Sequence, residues 1–283
     1  MENIIVPNPI EFEKIKNQIK NSGSKNIHIL ADFDRTLTCA KSDNGKNISS
    51  IISILRDGNY LAKGYAQKAH ALFDKYHPIE IDTTIPTKEK KEAMNEWWTS
   101  HIKLLIESGL NKKDLEKVVE AGTVRLKDGS KELFEHLNEK QIPIIIMSSS
   151  GIGDLIPMFL EKEKVLDKNV HIITNLCNFD ENGKATGVSK PIITVMNKDE
   201  TAIQDHPETY SKIKNRKNVI LMGDSLGDLG MITGFEYDNL IKIGFLNDGE
   251  EQNKKEYEAN FDIIITKDND FSEINKIIKE LTI

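Results

Sequence analysis

Six short isoleucine-rich runs constrain the fold more than any other feature: IHILA at 27–31, IPIIIM at 142–147, VHIIT at 170–174, NVILMG at 218–223, IKIGFL at 241–246 and FDIIIT at 261–266. Each is too short for a buried helix and too continuously apolar for a strand with one wet face. Such runs fit strands buried on both faces, and the charged segments between most of them are long enough for crossover helices, so a largely parallel sheet is expected. The C-terminal FSEINKIIKELTI places Phe271, Ile274, Ile277, Ile278 and Leu281 at helical spacing, suited to covering one sheet face. The fold class expected is therefore α/β. About 110 residues separate the first two runs, far more than a crossover of a dozen or so residues needs. Their pattern is mostly helical, with helices expected near 61–76, 88–108 and 111–121, before KDGSKELFEHLNEK returns through a further helix to the sheet. An inserted helical domain follows: a core formed by 1–45 and 129–283, and a cap over 46–128.

With 283 residues, 38% of them hydrophobic, the chain has material for one full core plus such an insertion. The net charge of −7 disfavours nonspecific association with nucleic acid polymers or anionic membranes. Cys39 and Cys177 are the only cysteines and form no CxxC. The start MENIIVPNPIEFEK lacks a basic segment followed by a long apolar one, and no apolar stretch approaches the roughly 20 residues of a membrane helix. A reducing, cytoplasmic setting is expected.

Chemistry concentrates where the apolar runs end. ILADFDRTLT carries Asp32 and Asp34 just past the first strand, with Thr36 and Thr38 beside them. Open α/β sheets bind ligands at this carboxyl rim, where two acids can converge outside the packed core. Alone, the pair fits a capped helix or polar loop as well as it fits catalysis. The run at 218–223 ends in GDSLGD, bringing Asp224 and Asp228 with glycines that permit a tight turn. Four carboxylates on two strand ends repel one another unless a cation such as Mg²⁺ offsets them, and hard oxygen ligands suit that ion. A third end, IIIMSSSGIGD, offers the Ser149 hydroxyl and the backbone N–H groups around Ser150 and Gly151 as an anion nest, with Asp154 as a helix cap. DENGK at 180–184 reads as a hairpin turn.

In order, DFDRTLT, the serine ending IIIMSS (Ser149), Lys198 of MNKDE and GDSLGD resemble the four motifs of the haloacid-dehalogenase-like phosphohydrolases. More narrowly, HPIE, NEWWTSH, SSGIGD, NFDENG, LMGDSLGDLGM and KIGFLND are similar to the cytosolic pyrimidine 5'-nucleotidase (cytosolic 5'-nucleotidase III) family from about residue 27 onward. That family usually has SAG where this chain has Ser149, Ser150 and Gly151. The resemblance implies a haloacid-dehalogenase-like Rossmannoid sheet with a helical cap between the first two motif strands. It also implies Mg²⁺-dependent hydrolysis of nucleoside 5'-monophosphates, CMP and UMP foremost, with phosphotransfer to a nucleoside, action on 7-methylguanosine monophosphate, or another small-molecule phosphatase activity of the haloacid-dehalogenase type as alternatives.

By the same resemblance Asp32 is the nucleophile, and Asp34 protonates the leaving nucleoside and then activates water. The metal ligands are the Asp32 carboxylate, the Asp34 backbone carbonyl and Asp224, supported by Asp228, while Ser149, Ser150, Gly151 and Lys198 bind phosphate. In the cap, Glu96 reads the base edge beside Trp97 and Trp98. Adjacent helical residues do not share a face, so one tryptophan at most is expected to line the pocket. His101 and Ser100 are weaker candidates. A monomer is expected.

Overall fold

The structure is a computed structural model that describes residues 3–48, 50–82 and 84–283. The strands are β1 (Ile4–Ile5), β2 (Ile27–Ala31), β3 (Ile144–Ile152), β4 (Val170–Asn175), β5 (Cys177–Phe179), β6 (Ala185–Val188), β7 (Asn218–Gly223), β8 (Asn239–Leu246) and β9 (Ile263–Thr266). All six apolar runs are strands of one seven-stranded sheet in the order β1-β9-β8-β7-β2-β3-β4. Every pairing is parallel except the edge pair β1–β9. β2 lies inside the sheet, flanked by β7 and β3, so the chain leaves it in one direction to build one side of the sheet and returns to build the other.

The two-sided burial follows from strand alternation. Ile27, Ile29 and Ala31 of β2 join Ile144, Ile146, Ile220 and Met222 in the larger core cluster. Leu30 joins Ile145, Met147, Val219 and Leu221 in a second. The helices are α1 (Pro9–Ser22), α2 (Ile51–Asp57), α3 (Tyr65–Ile81), α4 (Thr87–Glu107), α5 (Lys112–Glu120), α6 (Ser130–Glu139), α7 (Leu155–Lys162), α8 (Glu200–Gln204), α9 (Pro207–Ile213), α10 (Glu250–Asn260) and α11 (Ser272–Leu281). Phe12 and Ile19 of α1, Leu133 and Phe134 of α6 and Ile274 and Ile278 of α11 cover the first face. Ala202, Ile203 and Ile213 of α8 and α9 cover the second.

Helices α2 to α5 lie in sequence between β2 and β3. The segments that lead into and out of them run side by side: Thr38 bridges Leu126, the Cys39 amide donates to the Arg125 carbonyl at 2.9 Å, and the Lys127 amide to the Leu37 carbonyl at 3.0 Å. Asp268, past β9, grips both. Its carboxylate accepts the Ala40 and Lys41 amides at 2.9 and 2.7 Å and pairs with the buried Lys127 ammonium.

Several local expectations shift. Helix α3 continues through Pro78 to Ile81 rather than ending near 76. Proline forfeits one helical hydrogen bond, but the His77 ring stacks on Phe73 one turn back, and the Lys90 ammonium donates to the Glu80 carbonyl at 3.0 Å. Strand β3 runs on to Ile152 with a register shift after Met147, where a plain turn was expected. Asp180–Lys184 does form the turn of a hairpin, β5–β6.

Candidate active site

Three strand ends and one loop converge. Beyond β2, the Asp32 amide still pairs with the Met222 carbonyl of β7 at 3.0 Å, and the chain then turns sharply. The Leu37 and Thr38 amides return to the Phe33 carbonyl at 3.1 and 3.2 Å, and the Arg35 amide donates to the Thr38 hydroxyl at 2.9 Å. Arg35 takes a φ of +60° in this turn, a left-handed conformation that non-glycine residues seldom adopt. The turn leaves Asp32 and Asp34 facing one cavity of about 270 Å³, which Ser148, Ser149 and Ser150 of β3, Lys198, and Asp224 and Asp228 also line.

Beyond β7, the chain enters a short 3₁₀ helix, Leu226–Ile232. Asp228 closes a capping box there, its Oδ2 accepting the Ser225 amide at 3.0 Å and hydroxyl at 2.9 Å. Gly223 makes this approach possible, since a Cβ on it would lie 2.3 Å from the Asp228 Cβ. Lys198 precedes α8, is 6% exposed, and pairs with Asp32 and, at 2.8 Å, with Asp228 Oδ1. Arg35 bridges Asp224, at 3.4 Å, and Asp248.

Carboxylate oxygens of Asp32, Asp224 and Asp228 fall within 4.8 Å of one another. Burial pushes Asp32 up to about 7, against the pull of the Lys198 ammonium and with the repulsion of Asp228. Asp224 is raised for the same reasons, burial first and then Asp228 and Asp32. Burial disfavours charge on Lys198, but Asp228 and Asp32 outweigh it and hold the ammonium above the ordinary lysine range. One ammonium, and a guanidinium that Asp224 shares with Asp248, leave excess negative charge on three packed carboxylates of hard oxygens, so the donor set fits a small divalent cation such as Mg²⁺. Both Asp228 oxygens already accept hydrogen bonds, whereas the Asp224 carboxylate meets only Arg35 among the described residues.

Asp34 is held differently. Its Oδ1 accepts the Ile51 amide at the start of α2 at 2.9 Å, and its Oδ2 the Ser150 hydroxyl. Burial raises its pKa against these two bonds, a direction that suits a group holding a proton.

The serine turn departs from expectation. The Gly151 amide donates to the Ser148 hydroxyl at 3.1 Å, so it is not free as part of an anion nest. Gly151 instead packs on β4, where a Cβ would meet the Thr174 hydroxyl at 2.2 Å. Ser150 turns its hydroxyl to Asp34, which leaves Ser149 as the turn's cavity-lining hydroxyl without a partner among the described residues. Asp154 occupies the N-cap position of α7 without a capping bond, and pairs with Lys112 at 3.3 Å.

The far wall belongs to α3 and α4. Trp97 and Trp98 both line the cavity, their ring centroids 6.4 Å apart, where at most one was expected. A helix that meets a wide cavity along its flank presents two residues about 100° apart to it. Glu96 does not line it: the side chain is 63% exposed and reaches the Lys75 ammonium at 3.4 Å, which corrects its assignment as the base reader. Glu80 is the cavity carboxylate instead, accepting from His77 Nδ1 at 3.0 Å. HPIE was visible as a motif, but its role depends on α3 continuing past Pro78. His101 is buried and bonds the Tyr65 hydroxyl through Nε2 at 2.9 Å. Ser100 is not among the lining residues.

The model of the family described as pyrimidine 5'-nucleotidase (UMPH-1) matches residues 35–282. A 7-methylguanosine phosphate-specific 5'-nucleotidase B of Xenopus laevis is 34% identical over 266 residues, covering 94% of this chain and 91% of that protein. The human 7-methylguanosine phosphate-specific 5'-nucleotidase is 32% identical over 279 residues, covering 98% and 92%. The crystal structure of cytosolic 5'-nucleotidase IIIB bound to cytidine superposes with a TM-score of 0.90 at 29% identity, covering 99% of this chain and 94% of that one. A more distant haloacid-dehalogenase-family hydrolase of Salmonella enterica, at 15% identity and a TM-score of 0.58, shares the fold. With a family model matched over nearly its whole length, the chain belongs to the pyrimidine 5'-nucleotidase (UMPH-1) family, nucleotide phosphatases built on the haloacid-dehalogenase-like fold.

Proposed function

We propose that the protein is a Mg²⁺-dependent phosphatase that converts nucleoside 5'-monophosphates, CMP and UMP among them, to nucleoside and inorganic phosphate. One observation carries this reading. A single cavity is lined by Asp32, Asp34, Asp224 and Lys198 from the strand-end side and by Glu80, Trp97 and Trp98 from α3 and α4. These two sets of groups match the two chemically distinct ends of a nucleotide.

In this reading Asp32 attacks phosphorus; the new Asp32 O–P bond forms as the P–O5' bond breaks, and Asp34 gives its proton to O5'. Asp34, now a carboxylate, takes a proton from the water that attacks the aspartyl-phosphate, which releases phosphate and restores both residues. The Asp34 bonds to the Ile51 amide and the Ser150 hydroxyl fix its direction during both transfers. Lys198 and Ser149 hold phosphate oxygens. The Asp32 and Asp224 carboxylates and the Asp34 carbonyl would hold Mg²⁺, with Asp228 supporting them through Lys198 and Ser225. The ion, when bound, supplies charge that steadies the phosphoryl oxygens. Helices α2 to α5 act as the cap that excludes water over the site. A capture of the phosphoryl group by a nucleoside hydroxyl instead of water is the phosphotransferase alternative.

Glu80, in place of Glu96, is proposed to accept from amino groups on the base. This feature also favours a second substrate, 7-methylguanosine monophosphate, since a cationic base gains from a carboxylate and from aromatic faces together. The relatives' names and the bound cytidine in the structural neighbour point to the same two bases. We take the enzyme to be a monomer. No helix of the described residues is long and apolar enough to cross a membrane, and we place the enzyme in the cytoplasm. Phosphate release from CMP, UMP and 7-methylguanosine monophosphate, with Mg²⁺ and with excess chelator, tests the proposal. Release only with the ion supports it; absence of release from every nucleotide contradicts it.

A further inference from the structure

Arg56 stands in the same cavity, yet the phosphate chemistry and the contact assigned to Glu80 make no use of it. It lies near the end of α2, with its side chain 11% exposed. Its guanidinium carbon lies 5.0 Å from the centroid of Phe73, and the His77 ring stacks on Phe73 at 4.5 Å and 17°. Phe73 therefore holds against its ring both a cation and the imidazole that leads to Glu80.

Among the described residues, Arg56 makes one hydrogen bond, from Nε to Asp57 Oδ1 at 3.0 Å, on an oxygen that His70 Nε2 also approaches at 3.0 Å. A guanidinium has five N–H donors, so both Nη groups keep donors for an acceptor in the cavity. The Asp57 side chain is 46% exposed and offsets the Arg56 charge only from the solvent side.

Resting on the reading of this cavity as a nucleotide site, we infer that Arg56 is a base-selecting residue. Its Nη groups donate to the carbonyl oxygen of a neutral base, and its charge opposes a base that is itself cationic. Glu80 alone favours both cytosine, through its amino group, and 7-methylguanine, through its amino group and its positive charge. Arg56 breaks that tie. Cytosine keeps a carbonyl acceptor and carries no charge, whereas 7-methylguanine pairs its carbonyl with an unfavourable charge that a buried guanidinium feels across several ångströms.

The test compares wild type with R56M, R56Q and R56K, each checked for its fold by circular dichroism. The kcat/KM ratio of 7-methylguanosine monophosphate to CMP and the calorimetric Kd values of 7-methylguanosine and cytidine are measured for each. The nucleosides carry no phosphate, so the second readout is blind to Asp32 and Lys198. We expect the ratio to rise about tenfold in R56M and R56Q, the nucleoside Kd ratio to move the same way, and R56K to stay close to wild type. A ratio within twofold of wild type in R56M and R56Q overturns the assignment, as does a shift in R56K equal to that in R56M, which would make the role one of packing. Wild-type enzyme that cleaves p-nitrophenyl phosphate but neither cleaves the nucleotides nor binds the nucleosides contradicts the nucleotide site itself, and Arg56 selectivity with it.

Discussion

At the scale of single residues, Asp32 and Asp34 sit two positions apart but in different surroundings. Asp32 faces Lys198 and the other acids, while Asp34 is bound by the Ile51 amide and Ser150. D32N should therefore lose several orders of magnitude in turnover, since the amide oxygen cannot capture phosphorus. D34N should keep Mg²⁺ affinity by calorimetry while single-turnover cleavage slows strongly; loss of the metal with intact chemistry would reverse the two roles. The cap carboxylates give a second contrast. E80Q should change the ratios of kcat/KM among bases by about tenfold, and E96Q should leave them unchanged, because Glu96 is exposed outside the cavity lining, where it meets Lys75 and Tyr76. The acids at the strand ends were legible because an apolar run that stops at a charged pair marks the sheet rim. Glu80 was not, since the same letters HPIE read equally well as a helix stop at Pro78, and only the packing of His77 on Phe73 shows that the helix continues.

At the scale of elements, six strands of the sheet were legible as apolar runs, β7 being Asn218–Gly223 as its run predicts, whereas the extension of β3 to Ile152 and the two-residue β1 were not. The short α2, Ile51–Asp57, was not expected, since seven residues carry too little periodicity to stand out. It nevertheless delivers the Ile51 amide to Asp34 and Arg56 to the cavity. The paired segments that join the cap to the core were also hidden in the sequence, because their anchor, Asp268, lies more than 220 positions from the amides it accepts. Lys127 and Asp268 are almost wholly buried, and removing one partner of such a pair strands the other charge. D268A should accordingly lower unfolding free energy by about 3 kcal/mol in urea titration. A loss below about 1 kcal/mol, the range of exposed pairs, would show that these segments are held by their backbone pairing alone.

At the scale of the whole molecule, the place of β2 between β7 and β3 brings residues from position 32 to position 228 to one crevice. The order of the motifs along the chain made that convergence legible. Which cap residues look into the crevice was not, because that depends on how α3 and α4 dock over the sheet. The buried core also sets an acid limit. His28 of β2 is 1% exposed, hydrogen-bonds the Arg216 carbonyl through Nδ1 at 3.0 Å, and is pushed by burial down to about 4. Its folded pKa lies below the unfolded value, so the unfolded chain binds the extra proton first and stability falls as pH drops from about 6.5 toward 4. Between pH 7.5 and 5 this one group should remove about 2 kcal/mol, a loss that urea titrations of H28Q should lack. The central claim concerns the covalent step at Asp32. It is tested most directly by mixing enzyme, Mg²⁺ and CMP labelled on phosphorus, quenching in acid within the first turnover, and mapping the label on the protein. The account predicts label on the peptide that contains Asp32, and none on D32N. Rapid release of labelled phosphate with no protein-bound label at any time, or label on another residue, would contradict it.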